Sequence, residues 1–202
     1  MVHRAATGAI SGVFEVLVGI CVVLYVICTA ITTAALGQFD FTKLTPESLT
    51  SGPMILFFAV ELIYMAVWFA FAGVWLGWYS AVIDWARSRG APMPGNLVAI
   101  ALCFVPGINL GHPLVTLRTI RTHTGVRTPL DWWWWLFIGS LILGMVGSLR
   151  GAKGTDPFIL VGTGMEIVAA ILCWKVVRDF RRADREWDPR GAIAVRDGSG
   201  ST

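Results

Sequence analysis

The sequence predicts an all-α integral membrane protein: four transmembrane helices, plus a re-entrant segment and a short interfacial amphipathic helix. Three observations predict it. Only 14% of the 202 residues are charged and the mean hydropathy is +0.68, whereas soluble domains carry about a quarter charged residues. The deficit is concentrated: residues 5–39 contain one charge, Glu15; 48–83 contain one, Glu61; 132–149 contain none; and 157–174 contain only Glu166. Finally, thirteen of the sixteen Lys and Arg residues fall on one side of the four windows. A hydrocarbon core about 30 Å thick needs roughly 20 apolar residues at 1.5 Å rise, so each window is long enough to cross. Backbone amides in lipid must bond within their own segment, which makes the windows helices.

The first span is placed at about 9–36. Its apolar stretch is roughly twice the length of a signal peptide's hydrophobic region, so it is read as a retained helix. Ser51-Gly52-Pro53 precedes the second span, about 53–83. Thr128-Pro129 with Asp131 three residues after the threonine reads as a capping box opening the third, 131–149. The run Trp132, Trp133, Trp134 and Trp135 suits the headgroup level, and Trp85 and Trp174 fall near that face. Asp156-Pro157 combines a capping side chain with proline at the first helical position of the fourth span, 157–177. That helix is expected to continue as a charged segment to about Trp187. Asp188-Pro189-Arg190-Gly191 stops it, and residues 188–202 are read as a disordered cytoplasmic tail.

Residues 90–117 carry no Asp, Glu, Lys or Arg, yet they are not read as a fifth span. Their continuous apolar run, 97–105, reaches about 13 Å as a helix, under half the core. Pro106-Gly107 and Gly111-His112-Pro113 then break any helix, and amides freed in this way cannot face lipid. Residues 95–106 are therefore expected to enter one leaflet and return. Residues 113–123 follow as an interfacial helix, with Leu114, Leu117 and Ile120 on one side and Arg118, Arg121 and Thr122 on another. The whole unit occupies about 95–123.

Charge orients the chain. Four spans with both termini cytoplasmic put Arg4, Arg87, Arg89, Arg118, Arg121, Arg127, Lys175, Arg178, Arg181, Arg182, Arg185, Arg190 and Arg196 inside. Only Lys43, Arg150 and Lys153 lie outside. A fifth span gives a weaker asymmetry. The positive-inside rule thus favours four spans in a cell (inner) membrane. Cys21, Cys28, Cys103 and Cys173 all lie in apolar segments without a Cys-x-x-Cys pair, and read as packing residues.

At Phe104-Val105-Pro106-Gly107-Ile108-Asn109-Leu110-Gly111-His112-Pro113 the chain resembles a bacterial membrane family catalogued as domain of unknown function 4328. Pro106, Asn109, Leu110 and Pro113 match that family's Pro/Asn turn, with Arg118 and Arg121 in the basic helix beyond. Trp75-Leu76-Gly77-Trp78-Tyr79 and the later tryptophan run are also similar, so the likeness covers about 65–180. Where the family tends to carry aromatic or basic residues, this chain has Gly107, Gly111 and His112. The resemblance implies the architecture and marks the turn as distinctive; the family has no established activity to imply.

Two groups of residues carry candidate chemistry. Glu15, Glu61 and Glu166 lie in spans, where carboxylates are costly and suggest function. Glu61 and Glu166 come to similar depth, a spacing that would let them share a proton and line a proton or cation path. The structural alternative is that each is hydrogen-bonded to a neighbouring Ser, Thr, Trp or Tyr; no Lys or Arg is expected deep enough to pair with them. The second group is Pro106, Asn109, His112, Pro113, Arg118 and Arg121, with His123 and Arg127, a turn and basic surface suited to anionic lipid headgroups. Its alternative is simple electrostatic anchoring. Four-residue spacings at Gly8/Gly12, Gly73/Gly77 and Ser140/Gly144/Ser148 allow close helix approach, within the chain, with a membrane-protein partner or with a second copy.

There is no nucleophile elbow, paired zinc histidine motif, phosphate-binding loop or Cys/His metal spacing. The sequence reading is accordingly a non-enzymatic, lipid- or partner-binding membrane component with no cofactor, no metal and no nucleic-acid partner. The alternative is a small proton or cation transporter.

Overall fold

The computed structural model describes residues 2–36, 52–149 and 156–186, and every regular element among them is helical. Helix α1 is Val2–Leu36, α2 is Gly52–Arg87, α3 is Asn96–Leu102, α4 is His112–Thr124, α5 is Leu130–Leu149 and α6 is Pro157–Glu186; a single 3₁₀ turn, Ile108–Leu110, precedes α4. Four of these, α1, α2, α5 and α6, are long and apolar enough to cross a membrane. The tail expected at 188–202 lies outside the described residues.

Burial on α1 follows helical spacing. Val18, Cys21, Val22, Tyr25, Cys28 and Thr29 form one inward stripe, while Val13, Val16, Ile20, Val23 and Ile27 point outward and exposed. A helix apolar on its outer face as well as its inner one suits lipid rather than water. Contacts set the helices antiparallel in succession: Tyr25 meets Tyr64 and Phe71 of α2, Trp174 lies against Gly19, and Gly162 of α6 sits between Ser140 and Gly144 of α5. The closest backbones are α1 with α2, α1 with α6, and α5 with α6. Rings span the wider gaps around α2. Trp75 reaches Trp133 of α5 at 6.3 Å between centroids, and Trp78 and Trp85 reach Phe180 of α6 at 5.7 and 6.2 Å.

Small residues build the α5/α6 seam. A Cβ at Gly162 would stand 3.3 Å from Leu143 Cβ and 3.4 Å from the Ser140 carbonyl oxygen. Gly162 is thus a point of close helix approach. Of the local readings, one holds and two change. Asp156 caps α6 through its Oδ1, which accepts from the Phe158 amide at 2.8 Å. Thr128, by contrast, makes no cap bond: its hydroxyl is buried without a partner, and Asp131 is drawn away by arginines. The tryptophan run also divides. Trp132 and Trp135 are exposed, but Trp133 and Trp134 turn inward and are buried, because successive helical residues differ by about 100°.

Antiparallel succession brings the start of α1, the end of α2, α3, α4, the start of α5 and the end of α6 to one end of the bundle. All described Lys and Arg residues belong to these segments or to the loops between them. This is termed the basic end.

Candidate functional site

At the basic end, α3, the turn and α4 form a cap. Asn96 opens α3 and donates from Nδ2 to Asp84 Oδ2 at 2.6 Å, tying the helix to the end of α2. Its seven residues leave room for one inward anchor, Ala99, and Leu97 and Val98 face outward. Beyond it the backbone reverses. Gly107 takes φ +82°, a left-handed value that suits glycine. The Asn109 amide donates to the Val105 carbonyl, the Gly111 amide to Ile108, and Trp134 Nε1 to the Leu110 carbonyl at 2.9 Å. One buried indole of α5 thereby holds the turn.

Helix α4 starts with Pro113 in its first turn and ends at Gly125, φ +69°, whose amide donates to the Arg121 carbonyl. Leu114, Leu117 and Ile120 are buried against the protein body. The apolar side of this helix therefore faces the bundle's own end, with Val115, Arg118, Thr122 and His123 exposed. Val115, Arg118, Thr119, Thr122 and His123 line a shallow open hollow there. The Thr119, Thr122 and Thr124 hydroxyls each donate to the carbonyl four residues back.

The structure brings Arg118 and Arg121 together through a residue the sequence reading had assigned to capping. Asp131 accepts from Arg118 Nε at 2.5 Å and from an Arg121 guanidinium nitrogen at 2.9 Å. One carboxylate between two guanidinium groups leaves the triad with one net positive charge. His112 is half-buried, its Nε2 3.5 Å from the Thr116 hydroxyl. Pro106 is exposed, Asn109 half-buried and Pro113 buried. A further latch at this end involves residues not singled out from the sequence. Asp184 of α6 accepts from Trp85 Nε1 at 2.5 Å and Arg89 at 2.9 Å, and the Arg89 guanidinium lies 4.1 Å over the Trp85 ring.

The three intramembrane carboxylates divide. Glu15 pairs with Arg181, correcting the expectation that no cation reaches them. The unbroken α6 carries Arg181 beside Glu15, and Gly12 leaves space for the guanidinium. Glu166 accepts from the Tyr25 hydroxyl, and the Tyr64 hydroxyl lies 3.1 Å from that of Tyr25. Since Tyr25 donates its only proton to Glu166, Tyr64 is the donor to Tyr25. The two rings stack at 5.5 Å. Glu61 lies one turn before Tyr64 on α2, half-buried. Glu166 thus takes its hydrogen bond from Tyr25, with Tyr64 behind it.

Compared with family models, curated proteins and solved structures, the chain has no match. Among the described residues no group of three or more His, Cys, Asp or Glu side chains is placed to hold a metal ion. The cysteines are free, with Cys21, Cys28 and Cys173 buried as packing residues.

Toward the basic end from Tyr25, the interior closes. Val18, Val22, Tyr79, Cys173, Val176 and Val177 are buried together, and Trp78 and Phe180 lie beyond. Polar groups are concentrated on either side of this apolar layer.

Proposed function

We propose that the protein is a non-enzymatic, multi-pass membrane component whose basic end binds anionic lipid in the cytoplasmic leaflet. The observation that carries this reading is the outward surface of the cap. Leu97 is 86% exposed and Phe104 68%, and Val98, Val105, Ile108 and Leu110 are exposed with them. Six large apolar side chains within fourteen residues make a patch that water disfavours. The stretch is too short to cross, so the reading has it entering one leaflet as a re-entrant segment, between spans and beside α4. The collection of arginines at the same end supports a cytoplasmic assignment and an anionic lipid partner, each exposed cation contributing about 1 kcal/mol near such a leaflet.

Purification in mild detergent followed by lipid identification tests this. The wild type is expected to retain anionic phospholipid, and Phe104→Glu combined with Arg118→Ala and Arg121→Ala is expected to lose it. Recovery of lipid-free protein in both forms overturns the reading. A single cysteine at Thr122, expected to label only from the cytoplasmic side of cells, tests the orientation separately.

The Tyr64–Tyr25–Glu166 chain favours a second reading, a small proton or cation transporter. The apolar layer from Val18 to Val177 opposes continuous passage. Flux in proteoliposomes that falls in Glu61→Gln and Glu166→Gln supports transport, and absence of flux for protons and alkali cations rejects it.

A further inference from the structure

We propose that the hollow on the outward side of α4 seats the headgroup of one anionic phospholipid whose phosphodiester carries a free hydroxyl, of phosphatidylglycerol type. This site rests on the lipid-binding reading of the basic end and adds a choice among lipids of equal charge.

Val115, Arg118, Thr119, Thr122 and His123 line the hollow, at the i, i+3, i+4, i+7 and i+8 positions of one helical face. Its shape follows from side-chain size. Arg118 and His123 stand about 140° apart around the helix axis, with the three short β-branched side chains between them. The long pair makes the walls and the short trio the floor. Val115 is 58% exposed and its amide donates to the Gly111 carbonyl, so the floor's apolar end follows directly on the turn that exposes Ile108 and Leu110. Polarity therefore runs along the face, apolar toward the turn and polar toward Arg118 and His123. That gradient suits a lipid better than a free phosphate: acyl chains leave over the turn, and the phosphate lies at the arginine.

Arg118 donates from Nε to Asp131, and its four Nη protons lie outside that bond, a fork suited to phosphate oxygens. Arg118, Arg121 and Asp131 together carry one net positive charge, which matches the single negative charge of a phosphodiester. The threonines set the headgroup. Thr119 Oγ1 donates its one proton to the Val115 carbonyl and Thr122 Oγ1 to the Arg118 carbonyl, each at 3.0 Å. Both oxygens are thereby left as acceptors on the floor of the hollow. A headgroup hydroxyl can donate to them; a plain alkyl phosphodiester of the same charge cannot.

The test titrates the full chain in neutral detergent with phosphatidylglycerol or phosphatidylethanol of matched acyl chains, bound lipid being counted by native mass spectrometry. Phosphatidylglycerol is expected to bind about fivefold more tightly, the gain of one added hydrogen bond. Thr119→Val with Thr122→Val, which keeps the side-chain shapes, is expected to bring phosphatidylglycerol down to the phosphatidylethanol level and to leave the latter unchanged. Thr119→Ser with Thr122→Ser keeps both oxygens and is expected to keep the preference. If the valine pair does not fold, either valine substitution alone, expected to narrow the preference, carries the test. Equal wild-type affinities for the two lipids overturn the headgroup choice while leaving anionic-lipid binding in place, as does a preference that survives valine substitution. A chain that binds neither lipid overturns both readings.

Discussion

Arg181 and Glu15, 166 positions apart in the chain, pair across the α1–α6 seam. Both side chains are mostly covered, at 24% and 19% exposure. Covered ion pairs gain from mutual attraction what they lose in desolvation, so their net contribution is small, whereas stranding one partner is costly. Glu15→Leu or Arg181→Leu alone is expected to destabilise by about 1–3 kcal/mol, discounted from fully buried pairs because water still reaches both groups. The double variant is expected to lie closer to wild type than either single one. Denaturant unfolding of all four forms measures the coupling, and strictly additive losses would remove the pair's role.

The same pair shows where sequence reasoning stops. The four helices were legible because charge-free windows match bilayer thickness, and Asp156-Pro157 opens α6 as its residue types dictate. Partners across the bundle were not legible. Arg181 was counted as cytoplasmic because it lies beyond the apolar part of the last span, and the unbroken continuation of α6 brings it to Glu15. Asp131 was assigned to a local cap because its spacing from Thr128 fits one, but two arginines of α4 outcompete an amide. For Tyr25 and Tyr64 a signal did exist: polar hydroxyls at one-turn spacings from Glu61 and Thr29 on otherwise apolar helices.

Tyr25 bridges three helices through one hydroxyl, so removing that oxygen breaks two bonds at once. Tyr25→Phe is expected to cost about 0.5–2 kcal/mol, and Tyr64→Phe less, since the Tyr25–Glu166 bond survives. Unfolding in mixed micelles separates the two. A Tyr25→Phe protein as stable as wild type would mean that the hydrogen-bonded chain adds nothing to the fold.

Two glycines two residues apart on α6 should respond with opposite signs. A methyl at Gly162 meets Leu143 Cβ and the Ser140 carbonyl at 3.3–3.4 Å, and backbone cannot move aside cheaply; at Gly164 it meets open space. Gly162→Ala is expected to destabilise by about 1 kcal/mol as α5 and α6 separate. Gly164→Ala is expected to stabilise by up to about 1 kcal/mol through helix propensity. Equal effects of the two substitutions on the unfolding midpoint would contradict this account of the α5/α6 seam.

Asp131 holds α4 to α5 and at the same time offsets part of the charge of two arginines. Asp131→Asn removes the charge while keeping the shape. Each exposed ion pair contributes about 0.2–1 kcal/mol, so the loss of stability is expected to be modest. Amide exchange across α4 is expected to quicken, because Arg118 and Arg121 no longer anchor it and Leu114, Leu117 and Ile120 alone keep it seated. Binding to vesicles containing phosphatidylglycerol is expected to strengthen, since the surface gains one positive charge, and added salt is expected to reverse the gain by screening it. Slower exchange, or weaker vesicle binding at low salt, would show that the carboxylate presents the arginines to lipid instead of neutralising them.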